Sequence, residues 1–201
     1  MRPSAALRRD RLAQAAAVLF HRRGYHGVAL RDIALEAGVP AGAIFYHFPT
    51  KAALACAAAH AQLAWMDQVI RDMQTADTVA ARLDRLGNAL AGRSDDAAAY
   101  GCPMQRLLRD LAGGDADEAE ACALTAQVVH RLIDRLTAEL TGAGLSETEA
   151  VNRSRQFVAR WAGSSVLAHS FGDPAMMRSE IAAAIQDLQA VLPVREGKTP
   201  S

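Results

Sequence analysis

A chain of 201 residues with 51% apolar content can bury a sizeable core, as one domain or as a small and a larger one. Aromatics are only 5% while alanine abounds, which favours closely packed helices over an aromatic-rich β-sandwich. Lysine plus arginine and aspartate plus glutamate both number 22, so the formal net charge is zero, and that balance taken whole argues against a nucleic-acid partner.

Residues 1 to 6 read as a loose arm, because Pro3 and Ser4 precede any periodicity. A first helix is expected over Ala5–Arg23, with Leu12, Ala16, Leu19 and Phe20 as its inner stripe and Arg8, Arg9, Arg11, Arg22 and Arg23 outside it; Gly24 stops it. Leu30, Ile33, Ala34 and Ala37 then recur at helical spacing until Gly38, where a positive φ is needed. Gly38-Val39-Pro40 forms a turn, and Pro40, with φ fixed near the helical value, suits the first turn of another helix over about Ala41–Phe48. Two short helices joined this tightly make a helix-turn-helix, whose second helix enters the DNA major groove. Its outward residues should be small or polar, as Ala41, Gly42, Ala43, Tyr46 and His47 are. Ile44, Phe45 and Phe48 are assigned inward, with Phe45 able to face either way.

The stretch GYHGVALRDIALEAGVPAGAIFYHFPTKAAL, with LAQAAAVLFHRRGY before it, resembles the DNA-binding domain of TetR/AcrR-type bacterial repressors over about Leu7–Leu54. That resemblance implies an all-α chain in which a three-helix N-terminal helix-turn-helix domain (residues 1–50) precedes a six-helix ligand-binding and dimerisation domain (residues 51–201). It implies that Tyr25 packs under the recognition helix and that Lys51 meets a DNA phosphate. The pattern departs from the family at Val28, Ala29 and Pro40, where a hydroxyl residue is usual, and at Ala41 and Ala43, where Lys or Thr is frequent. Charge agrees with a DNA-facing head. Residues 1 to 51 carry eight basic and three acidic side chains, the remainder fourteen and nineteen. Expected DNA contacts are Arg31, Pro40, Ala41, Gly42, Ala43, Tyr46, His47 and Lys51.

Thr50 can cap a long fourth helix over Lys51–Gln74, where Lys51 opposes the helix dipole unless an anion is close. Val79, Leu83, Leu86 and Leu90 mark a helix over Thr78–Gly92; Asp95, Asp96 and the neighbouring alanines are expected to form a loop. A short helix beginning at Gly101-Cys102-Pro103 carries Met104, Leu107, Leu108 and Leu111. Next comes a buried helix over about Asp117–Leu140, and Ser146 to Glu149 form a capping-box pattern ahead of a helix over Glu147–Phe171. Asp173 caps a last helix bearing Ile181, Ile185, Leu188 and Leu192, and a polar tail runs from Pro193.

In the resembled family the last two helices pair with a second copy, and a two-fold dimer would set two recognition helices roughly 34 Å apart. Here Phe157, Val158, Trp161 and Leu167 with the small run Ala162 to Ser165 offer such a face, or they fill the chain's own core. The resemblance further implies a small-molecule effector among the body helices, with Trp65, Met66, Met73, Met104, Phe157, Trp161 and His169 as lining candidates.

Cys56, Cys102 and Cys122 have no paired spacing, which fits a reducing, cytoplasmic setting without disulfides or a secretion signal. With His130 they match no metal-ligand signature, and no cofactor is expected. Cys102 starts a helix, where a thiolate is favoured, so redox sensing stands as an alternative. No phosphate loop, HExxH or G-x-S-x-G motif supports an enzyme, the remaining alternative. The expected function is a ligand-responsive, homodimeric repressor of a palindromic double-stranded DNA operator.

Overall fold

The computed structural model describes residues 4–193, and among them every regular element is helical. The helices are α1 (Ala5–Arg23), α2 (Leu30–Glu36), α3 (Ile44–His47), α4 (Lys51–Gln74), α5 (Val79–Ala91), α6 (Ser94–Tyr100), α7 (Pro103–Leu111), α8 (Ala116–Gly142), α9 (Glu147–Phe171) and α10 (Pro174–Ala190). Most begin at a residue whose side chain satisfies an orphan backbone N–H: Ser4, Thr50, Thr78, Asp115, Ser146 and Asp173 each accept from the first turn. Gly172 ends α9 at φ 64, a left-handed conformation that costs a glycine little.

Two apolar cores divide the molecule. The head core packs Leu12, Ala16, Leu19 and Phe20 of α1 against Tyr25, Val28, Ile33, Ala34, Ile44 and Phe48. Leu54, Ala55 and Ala58 of α4 and Leu107 and Leu111 of α7 complete it. The body core joins the second half of α4 to α5, α8, α9 and α10 through Met66, Met73, Leu83, Leu86, Leu132, Phe157 and Ile181. Thus α4 is shared by both cores. Gly87 of α5 lets α10 come close, since a Cβ there would lie 2.7 Å from Cγ1 of Ile185.

The expected loop at Asp95 and Asp96 is instead a helix, α6, with Ser94, Ala97 and Ala98 buried and both aspartates in its first turn, where they favour the positive end of the dipole. The body therefore holds seven helices among the described residues rather than six. The capping box at Ser146 is half formed: Ser146 Oγ accepts from Glu149 N at 3.3 Å, while the Glu149 carboxylate takes Arg153 at 3.3 Å. Within the arm expected over residues 1 to 6, Ser4 caps α1 and Ala5 and Ala6 are helical; residues 1–3 and the tail from Val194 lie outside the described residues.

The large side chains of α9 resolve a choice that spacing left open. Phe157, Val158 and Trp161 are buried in the chain's own core, whereas Val166, Leu167 and Phe171 point outward. No helix among the described residues is long and apolar enough to cross a membrane.

Candidate nucleic-acid interface

The recognition segment starts from a rigid turn. Gly38 has φ 63, Val39 N donates to Ala34 O at 2.9 Å, and Val39 is buried. Pro40 follows with ψ 133, so it stands as the residue before the helix and not inside its first turn. Ala41–Ala43 form a tight 3-10 turn that continues into α3, in place of a single α-helix over Ala41–Phe48. Ile44 and Phe48, four residues apart, are each 1% exposed and pin this segment to the head. Phe45 is 61% exposed and so belongs to the outward face, which decides between the two orientations open to it. The reason is angular: with 44 and 48 on the buried side, position 45 lies about 100° around the helix.

Of the residues expected at DNA, Pro40, Ala41 and Gly42 are exposed and Tyr46 is 82% exposed. Ala43 is half-buried against the head core, and the half-buried His47 ring stands edge-on to Tyr46 at 5.1 Å between centroids. Arg31 projects from α2 with its side chain 85% exposed, 3.8 Å from the Asp32 carboxylate. Lys51 is tucked back, its ammonium 4.7 Å from the centroid of Tyr25. Burial pulls its pKa down, with Glu118 opposing that shift. Tyr25 is buried in the head core, and burial together with the Glu118 carboxylate pushes its phenol up. These placements make one contiguous chain surface of Pro40 to Gly42, Phe45 and Tyr46, with Arg31 on the neighbouring helix. Leu35 is also exposed on α2, and neither it nor Phe45 was marked as outward by residue type, since both are apolar.

Ala29 occupies the start of α2 and has no side-chain oxygen to cap it. Asp32 compensates in part by accepting from Ala29 N at 3.4 Å while pairing with Arg23 at 3.2 Å.

The head is tied to the body through α6 and α7. His21 Nε2 lies 2.7 Å from Gly101 O and His26 Nε2 lies 2.6 Å from Asp110 O; a carbonyl only accepts, so each ring donates from Nε2. Tyr25 N donates to Asp110 Oδ2 at 2.9 Å. Burial lowers the His21 pKa, opposed first by the Gly101 carbonyl.

The seven side chains expected around an effector are dispersed. Met104 and Trp161 border one cavity of about 40 Å³. Met66 and Met73 are core with no exposure, Trp65 lies half-buried beneath Arg93, and Phe157 packs in the body core. His169 is exposed and donates from Nδ1 to Ala98 O at 3.0 Å. Residues not expected at an effector, among them His21, Arg93, Asp96, Cys102 and Met177, make up the rest of the cavity wall. The Cys102 thiol is pushed up by burial despite backbone N–H groups of Gln105 and Met104, which overturns the lowered pKa expected at a helix start.

A sequence model described as bacterial regulatory proteins, tetR family, matches residues 12–58. The chain is 38% identical over 71 residues to the HTH-type transcriptional regulator LmrA of Bacillus subtilis, a match that covers 35% of this chain and 38% of that protein. It is 36% identical over 81 residues to the HTH-type transcriptional repressor KstR2 of Mycolicibacterium smegmatis, covering 40% of this chain and 38% of the relative. The matches thus span under two fifths of each relative's length. Across nearly the whole chain the fold is that of a TetR transcriptional regulator from Legionella pneumophila, with a TM-score of 0.80 at 18% identity over 93% of this chain and 99% of that one. A TetR-family regulator from Agrobacterium tumefaciens superposes with a TM-score of 0.76 at 22% identity, over 90% of this chain and 96% of that one. Residues 12–58 thus match the tetR family of bacterial regulatory proteins in sequence, and the chain as a whole has the helical fold of TetR-family structures.

Proposed function

We propose that the protein is a transcriptional repressor that binds a palindromic operator as a homodimer and is released by a small-molecule effector. The observation that carries this reading is the recognition segment: Ile44 and Phe48 lock it from behind, while Pro40 to Gly42, Phe45 and Tyr46 stand free on its outer side. A surface of small residues lets the backbone approach base edges, and exposed aromatic rings suit contact with thymine methyl groups. Lys51, Arg31 and His47 supply phosphate contacts, with Lys51 swinging off the Tyr25 ring to reach its phosphate. KstR2, similar to this chain over 81 residues, is a transcriptional repressor, which supports the sign of regulation.

Selection of bound sites from random duplex DNA tests the reading. A preferred site with two-fold symmetry is expected; equal affinity for all sequences with a steep salt slope would instead describe an architectural DNA binder and overturn it. Lys51→Ala should weaken binding to selected and random duplexes alike and reduce the salt slope by about 1. Tyr46→Ala and Phe45→Ala should weaken the selected site more than random DNA, by roughly 1 to 3 kcal/mol each if they touch bases. Redox sensing has less support, because burial raises all three thiol pKa values.

A further inference from the structure

Three residues, His21, Arg93 and Asp96, border both the 40 Å³ cavity beside Trp161 and an open groove of about 380 Å³ between α1, α4 and the start of α6. They form the partition between an exposed groove at the head–body junction and an apolar chamber walled by Met104, Trp161 and Met177. Two of the three have ties that point to a ligand. Arg93 lies over Trp65, its guanidinium carbon 4.0 Å from the ring centroid, and donates from Nη1 to Gln62 Oε1 at 2.9 Å. Among the described residues no carboxylate lies within ion-pair distance of it. A half-buried guanidinium held by an aromatic face and one neutral partner keeps donor capacity for a planar anion, which a carboxylate fills in a two-pronged hydrogen bond.

His21 is the second. Its Nε2–H donates to Gly101 O just past α6, and its ring meets the edge of Tyr100, over which Arg22 also stacks at 5.3 Å. One side chain of α1 is therefore both a wall of the chamber and a tie between the DNA-facing head and the α6–α7 segment. The chamber as it stands holds about one methyl-sized group, far below the roughly 300 Å³ of an ordinary ligand pocket, so anything larger that enters from the groove must displace part of the wall the two share, to which His21 belongs. Asp96 on the rim disfavours a second negative charge.

We infer that the effector is a small organic monocarboxylate with a short apolar body, seated on Arg93 and directed past His21 toward Met104 and Trp161, and that its entry breaks the His21–Gly101 tie. The inference rests on the repressor reading for its consequence, release of DNA. Coupling follows from differential affinity: the ligand fits only the arrangement in which His21 has left Gly101, so binding favours a head freed from α6.

Both tryptophans of the chain, Trp65 and Trp161, flank this path, so intrinsic fluorescence reports it without DNA. Hexanoate and benzoate should give a saturable change at millimolar concentrations, while hexanamide and benzamide should not. Trp65→Phe should retain part of the signal through Trp161. Arg93→Gln should weaken the carboxylates by about tenfold or more, the loss expected for one charge-assisted hydrogen bond, and Arg93→Lys by less. His21→Ala, which lacks the tie from the start, should hold a selected duplex more weakly than the parent and bind carboxylate with no further loss of that affinity. The inference is overturned by an equal response to the amides, by no saturable change with either acid, by an Arg93→Gln titration matching the parent, or by carboxylate still releasing DNA from His21→Ala. A selected duplex bound tightly but indifferent to both acids removes this inference and leaves the repressor reading standing. A specific carboxylate response in a chain that selects no DNA site does the reverse.

Discussion

At Ala29 the start of α2 lacks the side-chain oxygen that six other helices of this chain possess, and its backbone, at φ −88 and ψ 152, is already in the conformation a capping residue adopts. Ala29→Thr should therefore stabilise the protein by about 1 kcal/mol, seen as a rise in Tm of roughly 2 to 4 °C for a chain of this size. An unchanged or lower Tm would mean that Asp32 already satisfies that end of the helix. His21 offers a second residue-level expectation. Its burial favours the neutral ring, with Asp96 opposing and Arg93 and Arg106 reinforcing that preference. A folded pKa below the ordinary 6.5 means the unfolded chain binds more protons just below that value. The ring's contribution is thus complete above pH 6.5 and declines as pH falls beneath it. His21→Gln, which can still donate to Gly101 O, should flatten the acid side of the Tm–pH curve; a curve identical to the parent would exclude His21 as a source of that dependence. Neither position was legible as sequence. Ala29 was visible only as a departure from a family pattern, and the role of His21 depends on Gly101, eighty residues away, which no local periodicity encodes.

Elements were legible where their ends carry local chemistry. Thr50, Ser146 and Asp173 announce α4, α9 and α10 by hydroxyl or carboxylate, and the observed bounds follow them. The short α6 was not, because seven residues of Ser, Asp, Ala and Tyr have no apolar stripe; its burial against α9 and α10 supplies the order that its own composition does not. Similarly, no periodicity singles out Glu139 on α8, yet its side chain is 3% exposed between Arg82 of α5, at 3.1 Å, and Arg135. It fastens two helices through buried charge. Glu139→Gln should leave two guanidinium groups facing each other and cost on the order of 3 to 5 kcal/mol. Thermal unfolding should fall by several degrees at least, and a Tm within a degree of the parent would show that solvent already screens the cluster. Gly87 makes a parallel case for packing: Gly87→Val would drive α5 from Ile185 and should cost about 1 to 3 kcal/mol, despite the better helix propensity of valine.

The whole molecule is a basic head on an acidic body, and that division orients it before any contact is made. Phosphates attract residues 1 to 51 and repel the remainder, so the head should lead on approach to DNA. A single head reads few base pairs, however, and the surface that remains on α9 shows how a second could be recruited. Phe171 is 69% exposed, Val166 and Leu167 stand beside it, and Gly163 on the same helix has open space where a Cβ would be. Since Phe157, Val158 and Trp161 are spent inside the monomer, pairing in the proposed dimer falls to this outer stripe. Leu167→Glu together with Phe171→Glu places charges on the stripe without entering the core. The parent should scatter light as a dimer, and the double variant as a single chain of 21.4 kDa with an unchanged helical spectrum. Its affinity for a two-fold site should then drop toward that for half of the site, because two heads no longer bind as one unit. A double variant that remains dimeric would place the pairing surface elsewhere, and a parent that is already monomeric at working concentration would remove the two-fold operator from the proposed function.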